Sequence, residues 1–161
     1  MFHACKLSPE RKSDAVGLIL SFWPEWEQKL LDSEIRVVFR KSVAIINTPA
    51  VLYAYLNRPV QKIIGRAPLE TIARHKLEDC LAMSKKSGYD VEDIRDYVGT
   101  RSIIVYSLGR FQRAPKPVAV NELRTSYGFV PTPQAILLSN DGLAELDTRD
   151  RKSTRLNSSH A

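Results

Sequence analysis

Two arginines recur at strand spacing in the stretch EIRVVFRK, which spans Glu34–Lys41. Residues two apart lie on the same face of a β-strand, so we expect Arg36 and Arg40 to share a face with Val38. The opposite face of this predicted strand then holds Ile35, Val37 and Phe39.

A row of guanidinium groups could bind an anion. Each guanidinium presents a planar fork of N–H donors that suits a phosphate or the edge of a guanine base. A solvent-exposed outer face would show the same spacing, and the row by itself does not separate these two interpretations.

Other residues with catalytic or metal-binding chemistry are sparse. Cys5 and Cys80 are far apart and fit no zinc spacing, so we expect reduced thiols and no metal. The glycines form no phosphate-binding loop. The carboxylates Glu92, Asp93 and Asp96 are typical of the solvated face of a short helix. The sequence therefore predicts no cofactor and identifies no catalytic residue.

The composition fits one domain. With 161 residues, of which 43% are hydrophobic, the chain is long enough for one core and short for two. Its apolar runs are too short or too interrupted to span a bilayer, and residues 1–15 lack the apolar centre of a signal peptide. We expect a cytoplasmic protein with no membrane partner, in which a leader (1–15) precedes the domain (16–141) and a linker (142–149).

The C-terminal segment DRKSTRLNSSHA, Asp150–Ala161, resembles the translation of a common sequencing-library adapter. We therefore expect it to be an artefact and set it aside. It holds three basic residues and one acidic residue, so the net charge of +6 becomes +4 without it. A mildly basic domain is compatible with a polyanionic partner.

Apolar periodicity predicts six short strands, at residues 16–22, 35–41, 50–56, 60–65, 101–111 and 133–139. Residues 117–129 are expected to form a loop. A first helix begins at Pro24 and runs to about Asp32, and a last short helix is capped by Asp90 and ended by Gly99.

A middle helix is predicted to end at Gly88, with an apolar stripe of Ala73, Leu77, Cys80, Leu81 and Ser84. Residues 66–72 either extend the fourth strand or begin this helix. The predicted order is β-α-β-β-β-α-α-β-β. This order indicates an α+β fold built on a small mixed barrel of about six strands, with one helix between strands 1 and 2 and a helical insertion between strands 4 and 5.

Four segments in this order resemble the ASCH group of the PUA-like superfamily, in particular small proteins described as predicted transcriptional regulators. They are ILSFWPEWEQKLLDSEIRVVFRK, YLNRPVQKIIG, VYSLGRFQRAPKPVAVNELR and PTPQAILL. Together they lie between Leu18 and Leu138. The resemblance implies a PUA-like barrel that binds RNA or a modified nucleotide in a cleft beside the first helix.

The resemblance and the basic residues together nominate a nucleic-acid-binding set: Arg36, Arg40, Lys41, Arg58, Lys62 and Tyr55. Tyr55 is the candidate for stacking on a base because it lies near Arg58, although it would also fit in the core. RNA or another nucleic acid is the partner that this set favours, and the sequence does not separate RNA from DNA.

The chain departs from the family motif Gly-x-Lys-x-x-Glu-x-Arg, of which only the final arginine, Arg40, is present. Some ASCH proteins resemble amidohydrolases that use a lysine and a threonine at this strand. Those positions correspond to Ile35 and Val38 here, and neither side chain can act as a nucleophile. The resemblance therefore favours a binding module over an enzyme.

Three functions remain open. The first is an RNA-binding or modified-nucleotide-binding module with a regulatory role. The second is a small hydrolase acting on a modified nucleoside, for which Glu34, Lys41 and Lys62 are the nearby groups suited to proton transfer. The third is a domain that binds a protein partner through an apolar patch. The shape and charge of the cleft should discriminate among them.

Overall fold

Seven strands form one mixed sheet in the computed structural model, which describes residues 15–41, 46–119 and 136–138. The strands are β1 (Gly17–Phe22), β2 (Val37–Arg40), β3 (Ala50–Leu56), β4 (Lys62–His75), β5 (Ile103–Leu108), β6 (Gln112–Ala119) and β7 (Ile136–Leu138). The helices are α1 (Glu27–Leu31), α2 (Leu77–Ala82), α3 (Ser84–Ser87) and α4 (Val91–Val98). A 3-10 turn, Pro24–Trp26, leads into α1.

The strand order is β2-β5-β4-β3-β1-β7, and β6 also pairs with β4. Strands β1 and β3 are parallel, whereas the other neighbours in the described sheet are antiparallel. Helix α1 lies between β1 and β2 in the chain, and α2 to α4 lie between β4 and β5. The predicted α+β arrangement, with one early helix and a later helical insertion, is confirmed.

Strand β4 is much longer than predicted. It pairs with β3 and β6 through its first half and with β5 from Leu69 to His75. Residues 66–72 therefore extend the strand. The middle helix starts only at Leu77, so Ala73 is not part of its stripe, and the helix breaks at Met83 before Gly88 ends it. The pairing with β5 overrides the local pattern, as tertiary context often does in strands.

The predicted fifth strand, residues 101–111, corresponds to β5, which is shorter and ends at Leu108, and a separate strand, β6, begins just beyond it at Gln112. Strand β6 was not predicted, and its last three residues correct the start of the loop expected at 117–129. Prolines such as Pro115 and Pro117 are uncommon in central strands because they cannot donate to the ladder. In the structure the register pairs of β6 with β4 lie on either side of these two exposed prolines. The prolines are therefore tolerated because the ladder does not need their missing N–H groups.

Both faces of β2 are buried, which corrects the expected division of this strand. Val38 packs with Ile35 in the main core, which is formed by β1, β3, β4, β5 and α1. Val37 and Phe39 point to a second cluster, under the helices of the insertion. The members of that cluster from other elements are Cys80, Ile94, Val98, Ile103 and Val105. Arg36 and Arg40 consequently do not form a solvated row with Val38.

Helix α4 begins as predicted, at an Asp90 cap. The Asp90 Oδ1 atom accepts a hydrogen bond of 2.9 Å from the backbone N–H of Asp93. We expect Asp90→Ala to lower the free energy of unfolding by about 1 kcal/mol, because one N–H at the helix start loses its partner. Urea denaturation would measure this loss. The exposed Asp96, on the same helix, provides the control Asp96→Ala, and an equal loss in both variants would contradict the cap.

Several predictions fall outside the described residues. Apart from Ala15, these are the leader (1–15), the linker (142–149), the segment 150–161 and most of the predicted loop at 117–129. They stay predictions. Among the described residues, no helix has the length and hydrophobicity needed to cross a membrane.

Candidate functional site

A cavity of about 650 Å³ lies where the barrel meets the helical insertion. Its walls come from the end of β1, the α1 region, β2, and the segment from α3 into α4. Six of the lining residues are aromatic: Phe22, Trp23, Trp26, Phe39, Tyr89 and Tyr97. Its volume falls within the range of small-molecule and nucleotide pockets.

Local backbone geometry positions these rings. Pro24 begins the 3-10 turn, which sets Trp23 at the surface with 62% of its area exposed and Trp26 partly buried. Gly88 adopts φ +79°, which lets the chain turn after α3 and return Tyr89 towards Trp26. The Trp26 and Tyr89 ring centroids are 4.9 Å apart with a tilt of 57°. The Phe39 ring lies 6.4 Å from Tyr89 in a stacked orientation.

Arg40 is the half-buried cation of this cavity. Its Nη1 donates to the Phe39 carbonyl oxygen at 2.9 Å, and its Nη2 donates to the Ser21 carbonyl oxygen at 2.7 Å. The guanidinium carbon lies 5.1 Å from the centroid of the Phe22 ring. Strands β1 and β2 are not neighbours in the sheet order, so the side chain joins two strands that share no ladder.

Burial lowers the pKa of Arg40, and nearby tyrosines partly oppose this shift. A guanidinium nevertheless stays protonated in proteins. Two hydrogen bonds use two of its five N–H donors, so three remain for a ligand as far as the described residues are concerned. Arg40 is therefore a fixed donor fork in a mostly aromatic cavity.

Exposed ammonium groups lie at the rings of the cavity wall. Lys41 Nζ is 4.8 Å from the Tyr97 centroid, and Lys29 Nζ is 5.2 Å from the Trp26 centroid. Only Lys41 of these two lines the cavity itself. A cation–π contact leaves the ammonium hydrated and available to a phosphate.

One carboxylate, Asp93, also lines the cavity. Repulsion from Asp90 raises its pKa first of all, followed by desolvation, a hydrogen bond with Asp90 and the charge of Asp96. Burial raises the pKa of Tyr89, while Arg40 acts to lower it and Asp93 acts to raise it. Tyr89 is thus within electrostatic reach of both the guanidinium and the carboxylate.

No protein-family model matches the sequence. An "ASCH domain-containing ribonuclease" of Zymomonas mobilis is 25% identical over 130 residues, which cover 80% of this chain and 84% of that protein. The crystal structure of ASCH from Zymomonas mobilis superposes with a TM-score of 0.74 at 23% identity, over 83% of this chain and 94% of the other. The chain has the fold of that ASCH structure.

The ASCH fold confirms the resemblance found in the sequence. A serine-to-alanine mutant of the same Zymomonas mobilis protein superposes with a TM-score of 0.75, over 84% of this chain and 97% of the mutant. The N-terminal domain of Staphylothermus marinus McrB shares the fold with a TM-score of 0.55 at 8% identity, over 86% of this chain and 96% of that domain.

The fold brings together only part of the nominated set. Arg40 and Lys41 line the cavity. Arg58 is exposed in the turn after β3, beside the lining residue Asn57. Arg36 and Lys62 are not among the lining residues, and Arg36 Nε instead donates to the Ser33 carbonyl oxygen at 3.1 Å. Lys62 is exposed at the start of β4.

Tyr55 requires a correction because its side chain is completely buried in β3. It offers no exposed face on which a base could stack, so the core interpretation of this residue holds. The alternation of β3 had left open which face was buried, and the structure buries both Tyr55 and its neighbours Ala54 and Leu56.

The two positions that the resemblance matches to the amidohydrolase lysine and threonine do lie at the cavity. Ile35 and Val38 both line it, and both present only hydrocarbon. Of the groups considered for proton transfer, Lys41 lines the cavity, whereas Glu34 and Lys62 do not. The described residues also contain no group of three or more His, Cys, Asp or Glu side chains that could hold a metal ion.

The lining residues that were missed as site candidates from the sequence include Trp23, Tyr89, Asp93 and Tyr97. Asp93 is exposed, as expected for the solvated face of α4, yet that face borders the cavity. One local signal was available, since Tyr89 directly precedes the predicted Asp90 cap and Tyr97 lies in the last turn of the predicted helix. Their meeting with Trp23 depends on how the insertion packs against α1, which local patterns do not encode.

Proposed function

We propose that this chain is a cytoplasmic RNA-binding module with a regulatory role and that its ligand enters the cavity between α1, β2 and α4. The observation that carries the proposal is the arrangement of Arg40 and Lys41 among six aromatic rings. Unpaired bases stack on aromatic side chains while cations contact the phosphates, so rings and cations in one cavity suit a nucleotide. The Zymomonas mobilis relative named as a ribonuclease supports RNA as the nucleic acid.

Arg40 and Lys41 have different roles in this proposal. Arg40 is held by two carbonyl groups and contacts a base edge or phosphate inside the cavity. Lys41 is exposed and contacts the phosphate of the same nucleotide or of a neighbouring one. Arg58, beside the lining residue Asn57, extends the phosphate path, and we propose Arg36 and Lys62 only as peripheral contributors to the positive potential.

The direct test is a titration of labelled single-stranded RNA and DNA of the same sequence, followed by fluorescence anisotropy at two salt concentrations. Binding should be tighter for RNA and should weaken as salt is added, because the protein releases counterions from the phosphates. No binding at low salt would refute the proposal.

Replacing Lys41 by glutamate should weaken RNA binding by about tenfold and reduce the salt dependence by roughly one phosphate contact. The side chain is exposed, so the fold should be unaffected. The matched control is Lys116→Glu, which makes the same charge change at an exposed position of β6 that does not line the cavity. Equal weakening in both variants would indicate a diffuse charge effect without a site at Lys41.

RNA cleavage is a second candidate function. It is favoured by the carboxylate of Asp93 in the cavity wall and by the name of the Zymomonas mobilis relative. A general base needs hydrogen-bonding reach of the proton that it removes, and Asp93 is the lining carboxylate that could supply it. Gel electrophoresis of end-labelled RNA after prolonged incubation distinguishes the candidates. Intact RNA supports the binding module, whereas fragments that disappear in Asp93→Asn support cleavage.

A further inference from the structure

The cavity is lined by a hydrogen-bond donor fork and by a carboxylate acceptor, two groups that bind different edges of a base. The fork is Arg40 and the acceptor is Asp93. Both groups line the same cavity, together with Tyr89. A ligand between them would meet donors on one edge and an acceptor on another.

The donor side is unusually well fixed for a side chain as long as arginine. Two carbonyl oxygens, on Phe39 and Ser21, and the ring of Phe22 hold the guanidinium in place. Little side-chain entropy is therefore lost when a ligand binds, and the planar fork can select a ligand edge that carries two adjacent acceptors. Lysine at this position would provide charge without that geometry.

The acceptor side lies on a capped turn of helix. Asp93 lies in the first turn of α4, where its N–H is bound to the Asp90 carboxylate. A carboxylate has two oxygens and can accept from two adjacent N–H groups. It therefore complements a ligand edge that carries two donors.

Guanine is the RNA base that has both edges. Its O6 and N7 atoms are adjacent acceptors, and its N1–H and exocyclic N2 amino group are adjacent donors. Adenine places a donor beside N7, cytosine presents an amino group where guanine has O6, and uracil has no second adjacent donor. We propose that the cavity selects a guanine base, with Arg40 at O6 and N7 and Asp93 at the N1 and N2 donors. This inference rests on the proposed RNA-binding function.

The test uses the full chain and fluorescein-labelled octamers of uridine in which one central base is varied. The variants are guanine, adenine, cytosine, inosine, which lacks the N2 amino group, and 7-deazaguanine, which lacks the N7 acceptor. The guanine octamer should bind at least about tenfold more tightly than the adenine or cytosine octamer, because the loss of one bidentate pair of hydrogen bonds costs about that factor in affinity. The affinities of the inosine and 7-deazaguanine octamers should lie between that of the guanine octamer and those of the adenine and cytosine octamers.

Two aspartate variants distinguish recognition of guanine by Asp93 from a general effect of negative charge on RNA binding. Asp93→Asn should abolish the preference for guanine over inosine, while binding of the all-uridine octamer stays equal or becomes tighter because one negative charge is removed. The control Asp96→Asn removes the same charge from an exposed position of the same helix that does not line the cavity. It should keep the guanine preference.

The possible outcomes distinguish guanine selection from RNA binding in general. A guanine preference that Asp93→Asn removes and Asp96→Asn retains supports the inference. Binding of every octamer with equal affinity overturns guanine selection but leaves the proposed RNA-binding function in place. Failure of all octamers to bind overturns both. Free guanosine monophosphate is titrated in parallel, and binding as tight as that of the guanine octamer would overturn RNA as the source of the base.

Discussion

Gly88→Ala is expected to lower the free energy of unfolding by about 2–5 kcal/mol, the sum of backbone strain and overpacking. Gly88 has φ +79°, a conformation that an alanine adopts only at a cost. A Cβ atom at this position would also lie 2.6 Å from Ile35 Cδ1 and 2.8 Å from the Trp26 ring. Both neighbours line the cavity, so RNA binding should weaken together with stability.

Gly99 provides the matched control for this substitution. It also has a positive φ, +61°, but nothing lies within 4 Å of the Cβ that alanine would add. Gly99→Ala should therefore lose stability through the backbone alone and keep RNA affinity once the protein is folded. Urea denaturation and RNA titration of both variants test this contrast. Unchanged RNA affinity in folded Gly88→Ala would show that the Trp26 contact does not shape the site.

Arg40→Met is expected to weaken RNA binding by about tenfold to a hundredfold, since hydrogen bonds to charged groups contribute about 1.5–3 kcal/mol. Methionine keeps most of the apolar stem beside Phe22 but has no donors. The carbonyl oxygens of Phe39 and Ser21 would lose a charged donor, so the free energy of unfolding should also fall, by about 1–3 kcal/mol.

Two further variants test whether the loss of RNA affinity comes from the missing donor fork of Arg40. Arg36→Met removes a half-buried guanidinium that donates to the Ser33 carbonyl oxygen and does not line the cavity, so it should change stability without a comparable loss of RNA affinity. Arg40→Lys keeps the charge without the fork and should bind RNA with intermediate affinity. If Arg40→Met bound RNA with the same affinity as the original protein, measured below the unfolding transition of the variant, Arg40 would not be part of the site.

Much of the fold could be predicted from interactions between residues that are close together in the sequence. The continuous apolar run of β1, the proline at the start of the 3-10 turn, and the Asp90 cap of α4 each depend on residues a few positions apart. The ordered resemblance of four segments to the ASCH group likewise needed no contacts. For the same reason Arg40 and Lys41 could be nominated, since strand spacing and charge are local properties.

Only the tertiary structure decided which faces are buried and which side chains meet. The helical insertion covers Val37 and Phe39, so β2 is buried on both sides and its alternation does not mark a solvated face. Pairing with β5 extends β4 through residues that also fit a helix. Trp26 and Tyr89 are distant in sequence, and their 4.9 Å contact forms only when the insertion packs against α1. Local preferences are weak compared with such long-range burial, so the aromatic wall around Arg40 could not be predicted from the sequence.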